Sequence, residues 1–485
     1  MFMIPYIDNS AINTPDSRIA AWHPIWKRNR DVIEGERMVK PAGRTYLPAP
    51  PAPKGDEKDE VYKNTVALTP FFPGAARTHE GLMGLIFHKP ANIEDGGVPD
   101  ILETITQDGY SIDHLAEDVV SELMITNFVG LVCDYPVSEK RLDARQAQLQ
   151  GVRPFIGLYQ AESILGIETG VINNRQRVTR VRLVEDDVTI RELRLDDGVY
   201  SVNIWKANAG TWAISQTITP RKGNETLDEI PFSLVTSNRK YLPAKAKLSD
   251  VVNVNLAHYS ASRNLKIAEF WAGNPTPYLF GTKVNSMALG PGNYLTAETN
   301  GSEIKVGMLE PTGGALPGLR ESVAVLANDM AKVGSRVLAA EKAAVEAGET
   351  LAIKTASENA VVAGTARLSC HWLNDQLDWV AYWLGLEEGS ISYTLNTDYQ
   401  AAKLTPDERK QLVEEWKANV YSKDTLIDQM IEGGALPESF DRELDQEKLG
   451  EEIADRPPVD SIIPMTTETN ATVPPPADQG TTPLA

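Results

Sequence analysis

An α+β fold with more than one subdomain is predicted by three features of the chain. Between about Arg153 and Val235, apolar and polar residues alternate in short runs punctuated by DDG and NAG turns, the pattern of antiparallel strands with one face exposed. On either side of that region apolar residues recur three and four apart, the pattern of amphipathic helices. A smaller strand-like stretch, Asn274 to Pro311, lies directly between two of these helical segments.

Taken in order, AWHPIWKRNRDVIEG reads as a short helix with Trp22, Trp26 and Ile33 turned inward, and the run from Pro48 to Pro53 as an extended connector. Helix returns from about Val61 to Ile86, broken near Pro70 and Pro73. The segment from about Ile112 to Val129 forms an amphipathic helix with Leu115, Val119, Leu123 and Ile125 inward and Ser111 or Asp113 as N-cap. RVTRVRLVEDD, TIRELRLDDGVYSVNIW and TWAISQTITP supply the strands. A helix from Ser249, read as its N-cap, to about Trp271 precedes the β-rich insert, in which TPYLFG, LGPGNYLT and GSEIKVGML alternate strand and turn.

A long helical hairpin follows. Its first arm sets Leu316, Leu319, Val323, Leu326, Met330, Val333 and Val337 on one stripe, wide enough to bury against a partner helix. The connector AAEKAAVEAGET (Ala339 to Thr350) has Val345 as its only bulky apolar side chain, so it has little to pack into a core. The second arm, from about Leu351 to Leu384, ends with Trp372, Trp379 and Trp383 on one face. After Gly385 come a short strand, SISYTLN, helices at about Thr405 to Val420 and Ser422 to Ile431, and a charged segment ending near Asp455. From Arg456 to Ala485 the chain is mostly Pro, Thr and Asp, a composition expected to be disordered.

Composition narrows the function classes. The 485 residues exceed one ordinary core, and 42% hydrophobic content with a mean hydropathy of −0.27 describes a folded, soluble chain. No run approaches the ~20 apolar residues of a membrane span, and the N-terminus lacks the basic-then-apolar pattern of a secretory signal. Cytosolic assembly is the default expectation. Two cysteines, Cys133 and Cys370, are too few for a disulfide framework or a thiolate metal site. A net charge of −20 argues against a protein that grips nucleic acid, because neutralising phosphates needs clustered Lys and Arg. The same charge is compatible with solubility alone, or with a surface that lets nucleic acid slide past.

Motifs for chemistry are absent from the sequence. There is no GxxxxGK[ST] loop, no GxSxG elbow, and no HxxxH or HExxH pair among His23, His79, His88, His114, His258 and His371. LGPGNYL (Leu289 to Leu295) lacks the following helix N-terminus that would make it a phosphate cradle and reads as a turn. The pairs Asp186–Asp187 and Asp196–Asp197 fall where strands turn. The expectation is a non-enzyme with no cofactor and no metal.

Five stretches, in order, resemble one family. WHPIWKRNRDVIEGERMVKPAGRTYLP and DEVYKNTVALTPFFPGAARTHEGLMGLIF, then IPFSLV, LGPGNYL and IKTASENA, look like a portal-type family long catalogued only as a domain of unknown function, over about residues 20 to 385. The order of helix, β insert, helix, bare connector and long helix likewise resembles the core of tailed-phage portal proteins. The resemblance implies a wing at 1–248, a stem helix at 249–271, a clip at 272–312, a second stem helix at 313–338, a tunnel loop at 339–350, a long wing helix and strand at 351–400, a helical crown-like region at 401–455 and a tail at 456–485.

It further implies a ring, usually of twelve subunits with a summed charge of roughly −240, through which double-stranded DNA passes without sequence readout. The implied partners are the terminase large subunit, the major capsid or scaffold protein and a head–tail adaptor, with no membrane. Lys332, Arg336, Glu341, Lys342, Glu346 and Glu349 become candidates to face the channel. Lys283, Asn293, Tyr294, Glu303 and Lys305 become clip contacts, and Leu319, Val323, Leu326, Met330 and Val333 a seam between subunits. An acidic cytosolic scaffold whose hairpin engages a protein partner stays open as the alternative.

Overall fold

The computed structural model describes residues 12–49, 59–136, 152–208, 210–238, 241–274, 276–280, 305–309, 313–335, 348–397, 406–436 and 440–454. The chain divides into two units, Met1–Tyr399 and Gln400–Ala485.

The first unit opens with helices α1 (Ser17–Ala20), α2 (His23–Glu34) and α3 (Glu36–Ala42). Trp26 is the anchor of α2: it is fully buried, its indole N–H donates to the Thr126 carbonyl at 3.1 Å, and its ring stacks on Phe128 at 5.5 Å. Gly35, at φ 95, breaks α2 from α3 in a conformation that a side chain would oppose. Helices α4 (Asp59–Leu68) and α5 (Gly74–Ile86) are separated by the segment that carries Pro70 and Pro73. Strand β1 (Asn92–Asp95) and helix α6 (Pro99–Leu102) lead to α7 (Ile112–Ile125). Ser111 caps α7, its hydroxyl accepting from the His114 amide, while Asp113 sits in the first turn. The helix stops at Ile125, short of the expected Val129, because Asn127 takes the left-handed conformation (φ 55).

Strand β2 (Val129–Asp134) follows at once, and no alternation announced it because both its faces are buried. Val129, Leu131 and Cys133 point into one hydrophobic cluster and Val132 into another. β2 is the centre of a three-stranded antiparallel sheet, between β3 (Phe155–Tyr159) and, introduced below, the strand at Phe232–Val235. Next come β4 (Ile164–Ile172), β5 (Arg175–Asp186), β6 (Thr189–Asp196), β7 (Val199–Asn208) and β8 (Thr211–Ile218), an antiparallel meander in sequential order. Asp197 and Gly198, with φ of 50 and 79, form the β6–β7 turn, and the Asp186–Asp187 pair lies at the β5–β6 turn. A small ribbon, β9 (Arg221–Lys222) with β10 (Glu225–Thr226), precedes β11 (Phe232–Val235). The inner face of the meander and the β2 sheet enclose one core with Trp26, Phe128, Leu183, Leu193 and Tyr200.

Helix α8 (Ser249–Gly273) begins at Ser249, but Ser249 is not its cap. The N-cap is Leu248, with no side-chain bond, and the Ser249 hydroxyl instead accepts from buried Asn29 at 3.2 Å. The ribbon β12 (Thr276–Phe280) and β13 (Lys305–Leu309) then leads to α9 (Leu316–Ser335), and α10 (Gly348–Leu384) follows. The hairpin expectation needs correction: the α9 stripe faces α8, while α10 packs against α7, β2, β11 and strand β14 (Ile391–Thr394). The reason is that α10 already spans two cores, with Leu373, Leu377 and Val380 in the α7 cluster and Trp379 and Trp383 against both. β14 pairs antiparallel with β1, which the sequence did not suggest because all four β1 residues are exposed.

The second unit contains α11 (Pro406–Lys417), α12 (Lys423–Glu432) and α13 (Arg442–Ala454). Ser422 caps α12 through the Thr425 amide, and Tyr421 donates to the Leu412 carbonyl at 2.6 Å, joining α12 to α11. The tail expected to be disordered, from Arg456 onward, lies outside the described residues.

Candidate assembly interface: the helix pair and its strand tip

Helices α8 and α9 run antiparallel. The start of α8 meets the end of α9 in a third cluster, where Val251, Val252, Tyr259 and Met330 are buried with Val39, Leu47 and Phe71. The far ends meet at Glu269, which accepts from Lys266 at 3.0 Å and from Arg320 at 3.3 Å. The Lys266 hydrogen bond, then that of Arg320, holds the Glu269 carboxyl below the usual carboxylate range.

The base of this pair is seated tightly. The Ala75 amide donates to Asn255 Oδ1 at 2.9 Å and Asn255 Nδ2 donates to the Phe72 carbonyl at 2.9 Å, so a side chain from α8 caps α5, whose own N-cap Pro73 supplies none. Across the α5–α9 contact two glycines allow close approach: a Cβ on Gly74 would fall 1.9 Å from Met330 Sδ, and one on Gly334 would fall 2.8 Å from Thr78 Oγ1. Burial lifts the Tyr259 phenol to about 12.

The far half is different. Beyond Ser262 in α8, and before Met330 in α9, no described residue of the two helices or the ribbon is buried. Phe270 and Trp271, stacked edge to face at 5.9 Å, are 59% and 56% exposed, and Phe280 and Met308 are 63% and 61% exposed. In the β12–β13 register Phe280 lies opposite Lys305 and Met308 opposite Pro277, so the two apolar side chains leave opposite faces of the ribbon. A two-stranded ribbon alone is marginally stable in water, and a helix pair without a core is no firmer.

Of the residues singled out from sequence, Leu319, Val323 and Leu326 are half-buried along α9, on the stripe that faces α8, and Val333 packs at the base. Met330 is 2% exposed inside its own chain's core, which leaves it no surface for a neighbour. Lys332 is exposed and pairs with Asp329 at 3.5 Å, and Lys305 is exposed at the start of β13. Glu349 belongs to the first turn of α10, which begins at Gly348, so the connector ends earlier than Thr350. Arg336, Glu341, Lys342, Glu346, Lys283, Asn293, Tyr294 and Glu303 lie outside the described residues. Sequence reading missed Phe270, Trp271, Phe280 and Met308. The run FWAGNPTPYLF held the signal, since its aromatics cluster at a helix end without the spacing of a buried face.

Among the described residues no group of His, Cys, Asp and Glu is arranged to hold a metal ion, and no helix is long and apolar enough to cross a membrane. Burial pushes the Cys133 thiol well up, away from the thiolate a nucleophile needs. Cys370 is raised by burial as well, and its sulfur accepts from the Leu395 amide.

Residues 247–384, from just before α8 to the end of α10, match a family model described as Domain of unknown function (DUF4055). No curated protein matches the chain. Among solved structures, it is similar to a chain in the neck of an empty gene transfer agent particle computed with C6 symmetry, at 13% identity and a TM-score of 0.39, over 77% of this chain and 93% of that one. It is also similar to a chain in the virion of a native gene transfer agent particle, at 11% identity and a TM-score of 0.35, over 85% of this chain and 98% of that one.

Proposed function

We propose that the chain is a portal subunit of a tailed-phage-type particle, assembling as a ring at one capsid vertex through which the genome is packaged and ejected. The observation that carries the reading is the unburied far half of the α8–α9 pair with its apolar ribbon. Exposed large apolar side chains gathered at one end of a helix pair mark an assembly interface, and neighbouring copies side by side would bury them. The order of elements and the five sequence stretches supply the rest of the support, together with the net charge of −20, which suits a wall past which DNA slides.

In this reading α8 and α9 are the stem, with Leu319, Val323 and Leu326 packing the two helices together and the exposed Phe270 and Trp271 toward the seam between subunits. The ribbon is the clip that meets the terminase large subunit and later the head–tail adaptor, and the connector after Ser335 faces the DNA with Lys332 near its root. Capsid or scaffold protein surrounds the wing. The chain performs no catalytic step, ATP hydrolysis belonging to the separate terminase.

Negative-stain electron microscopy of the purified chain is expected to show rings with a central hole. Trp271→Asp with Phe280→Asp should shift assembly to at least ~10-fold higher protein concentration while leaving the melting temperature of the dissociated chain unchanged. Monodisperse monomers at every salt concentration would sink the reading.

A further inference from the structure

β11 is an edge strand: it pairs with β2 on one side and with no described strand on the other. The Cys133 amide donates to the Pro231 carbonyl at 3.1 Å, which fixes the parity of the β11–β2 ladder. Bonded and non-bonded pairs alternate along an antiparallel ladder. Ser233 opposite Leu131 is therefore a bonded pair, and Leu234 opposite Gly130 is not. The amide and carbonyl of Leu234 look away from β2, and neither has a partner among the described residues.

A cavity of about 510 Å³ lies along this margin, lined by Leu234, Thr236 and Tyr241 on one side and by Gly364, Leu368 and Trp372 of α10 on the other. That volume falls in the range of ligand pockets, ~300–1,000 Å³. The Leu234 side chain is turned into the meander cluster, so what it gives the cavity is main chain. The indole N–H of Trp372 is buried and has no partner among the described residues. Three hydrogen-bonding groups of the cavity wall are thus left unpaired, a costly arrangement unless an occupant bonds to them. Exposed Gly364 keeps the mouth clear, since a Cβ built there meets nothing within 4 Å. It does so inside a helix, where glycine is otherwise unfavourable.

The chemistry of these groups selects the occupant. A donor and an acceptor on one residue of an edge strand match the carbonyl and amide of one residue of an added strand. Leu368 and Trp372 offer apolar surface to one of its side chains. Asp375, three residues past Trp372 on α10, accepts from the Ser233 hydroxyl at 2.9 Å and has no cation partner among the described residues. Burial first, then the charges of Asp375 and Glu229, raise the Tyr241 phenol above its ordinary value, which puts both carboxylates near the cavity wall. An acidic margin favours a basic strand, and a second copy of a chain with a net charge of −20 is the poorer match.

We propose that this cavity binds an extended peptide segment of a separate partner protein, paired with Leu234 at the β11 edge, with one apolar side chain in the cavity and a Lys or Arg beside Asp375. The proposal is independent of the ring reading.

Labelled, capped heptapeptides with Val, Leu, Phe or Trp at the centre, Thr on either side and Lys at both ends test it, by fluorescence anisotropy with the full chain. At least one is expected to bind saturably. Gly364→Leu fills the mouth of the cavity and should weaken that binding at least ~10-fold, an undiminished melting temperature showing that the fold is kept. N-methylation walked along the peptide should weaken binding at one of two neighbouring central positions and spare the other, because successive amides of a strand point to opposite sides. Peptides with Glu at the ends should bind more weakly, and Asp375→Asn should erase that preference. No saturable binding by any peptide, binding that Gly364→Leu leaves unchanged, or binding indifferent to N-methylation overturns the proposal. So does a preference for Lys that survives Asp375→Asn. Self-association of the chain that Gly364→Leu abolishes would assign the cavity to a second copy and overturn it too. Should Gly364→Leu not fold, the N-methyl series and Asp375→Asn decide.

Discussion

Gly334 and Gly364 are both helical glycines, and a methyl group at each would meet opposite surroundings. At Gly364 nothing lies within 4 Å of the added carbon. Gly364→Ala should therefore gain the helix-propensity difference, about 1 kcal/mol. At Gly334 the carbon would sit 2.8 Å from Thr78 Oγ1, whose residue is 6% exposed and whose hydroxyl donates to the Gly74 carbonyl at 2.9 Å. Thr78 is β-branched and stiff, so it cannot retreat, and overpacking of ~1–3 kcal/mol outweighs the same propensity gain. Urea titrations should show Gly364→Ala raising the midpoint and Gly334→Ala lowering it. Equal shifts in one direction would refute the assigned packing. Neither environment was legible in the sequence, where both residues are simply helical glycines.

At the scale of elements, α5 and α8 each carry a histidine that burial holds below its ordinary value, His79 and His258. For His79 the nearby Glu80 opposes the shift without cancelling it. Both imidazoles are neutral in the folded and unfolded states well above pH ~6.5. As pH falls through that value the unfolded chain takes up protons that the folded chain resists, so stability is lost until the lowered folded-state values are passed. Unfolding free energy measured between pH 8 and 5.5 should fall, and His258→Gln should flatten part of the slope. An identical slope in parent and variant would contradict the burial argument.

Elements with one exposed face were readable. The 175–218 strands alternate and α9 repeats at three and four, because each meets core on one side only. β2 was not readable, because a strand buried on both faces loses its alternation. Nor was β1, whose residues are held by pairing with β14 rather than by burial. Ser249 has the residue type of a cap, yet Asn29, 220 positions away, claims its hydroxyl.

For the whole first unit, Trp379 and Trp383 join what would otherwise be two separate cores, the α7 cluster and the meander cluster. Trp383 also stacks on Tyr135 at 5.2 Å. Trp379→Ala should cost about 3 kcal/mol and lower protection in both the α7 helix and the β6 strand, read by hydrogen exchange. Loss confined to one of them would show that the cores are independent. Of the proposed interface, the stripe on α9 was visible as periodicity, whereas the apolar surface at the tip was not, since exposure is a property of what fails to pack.

The sequence by itself determined the local periods: which stretches are helices and half-exposed strands, where prolines and DDG turns break them, and that the chain carries a net charge of −20. Only the tertiary structure decided that α9 pairs with α8 and not with α10, that Asn255 caps α5, and that Phe270, Trp271, Phe280 and Met308 are left in solvent. Periodicity records that a face must be covered, and it carries no information about which distant surface covers it. That choice is made by shape and by long-range contacts such as the Gly74–Met330 approach, which exist only once the chain has folded.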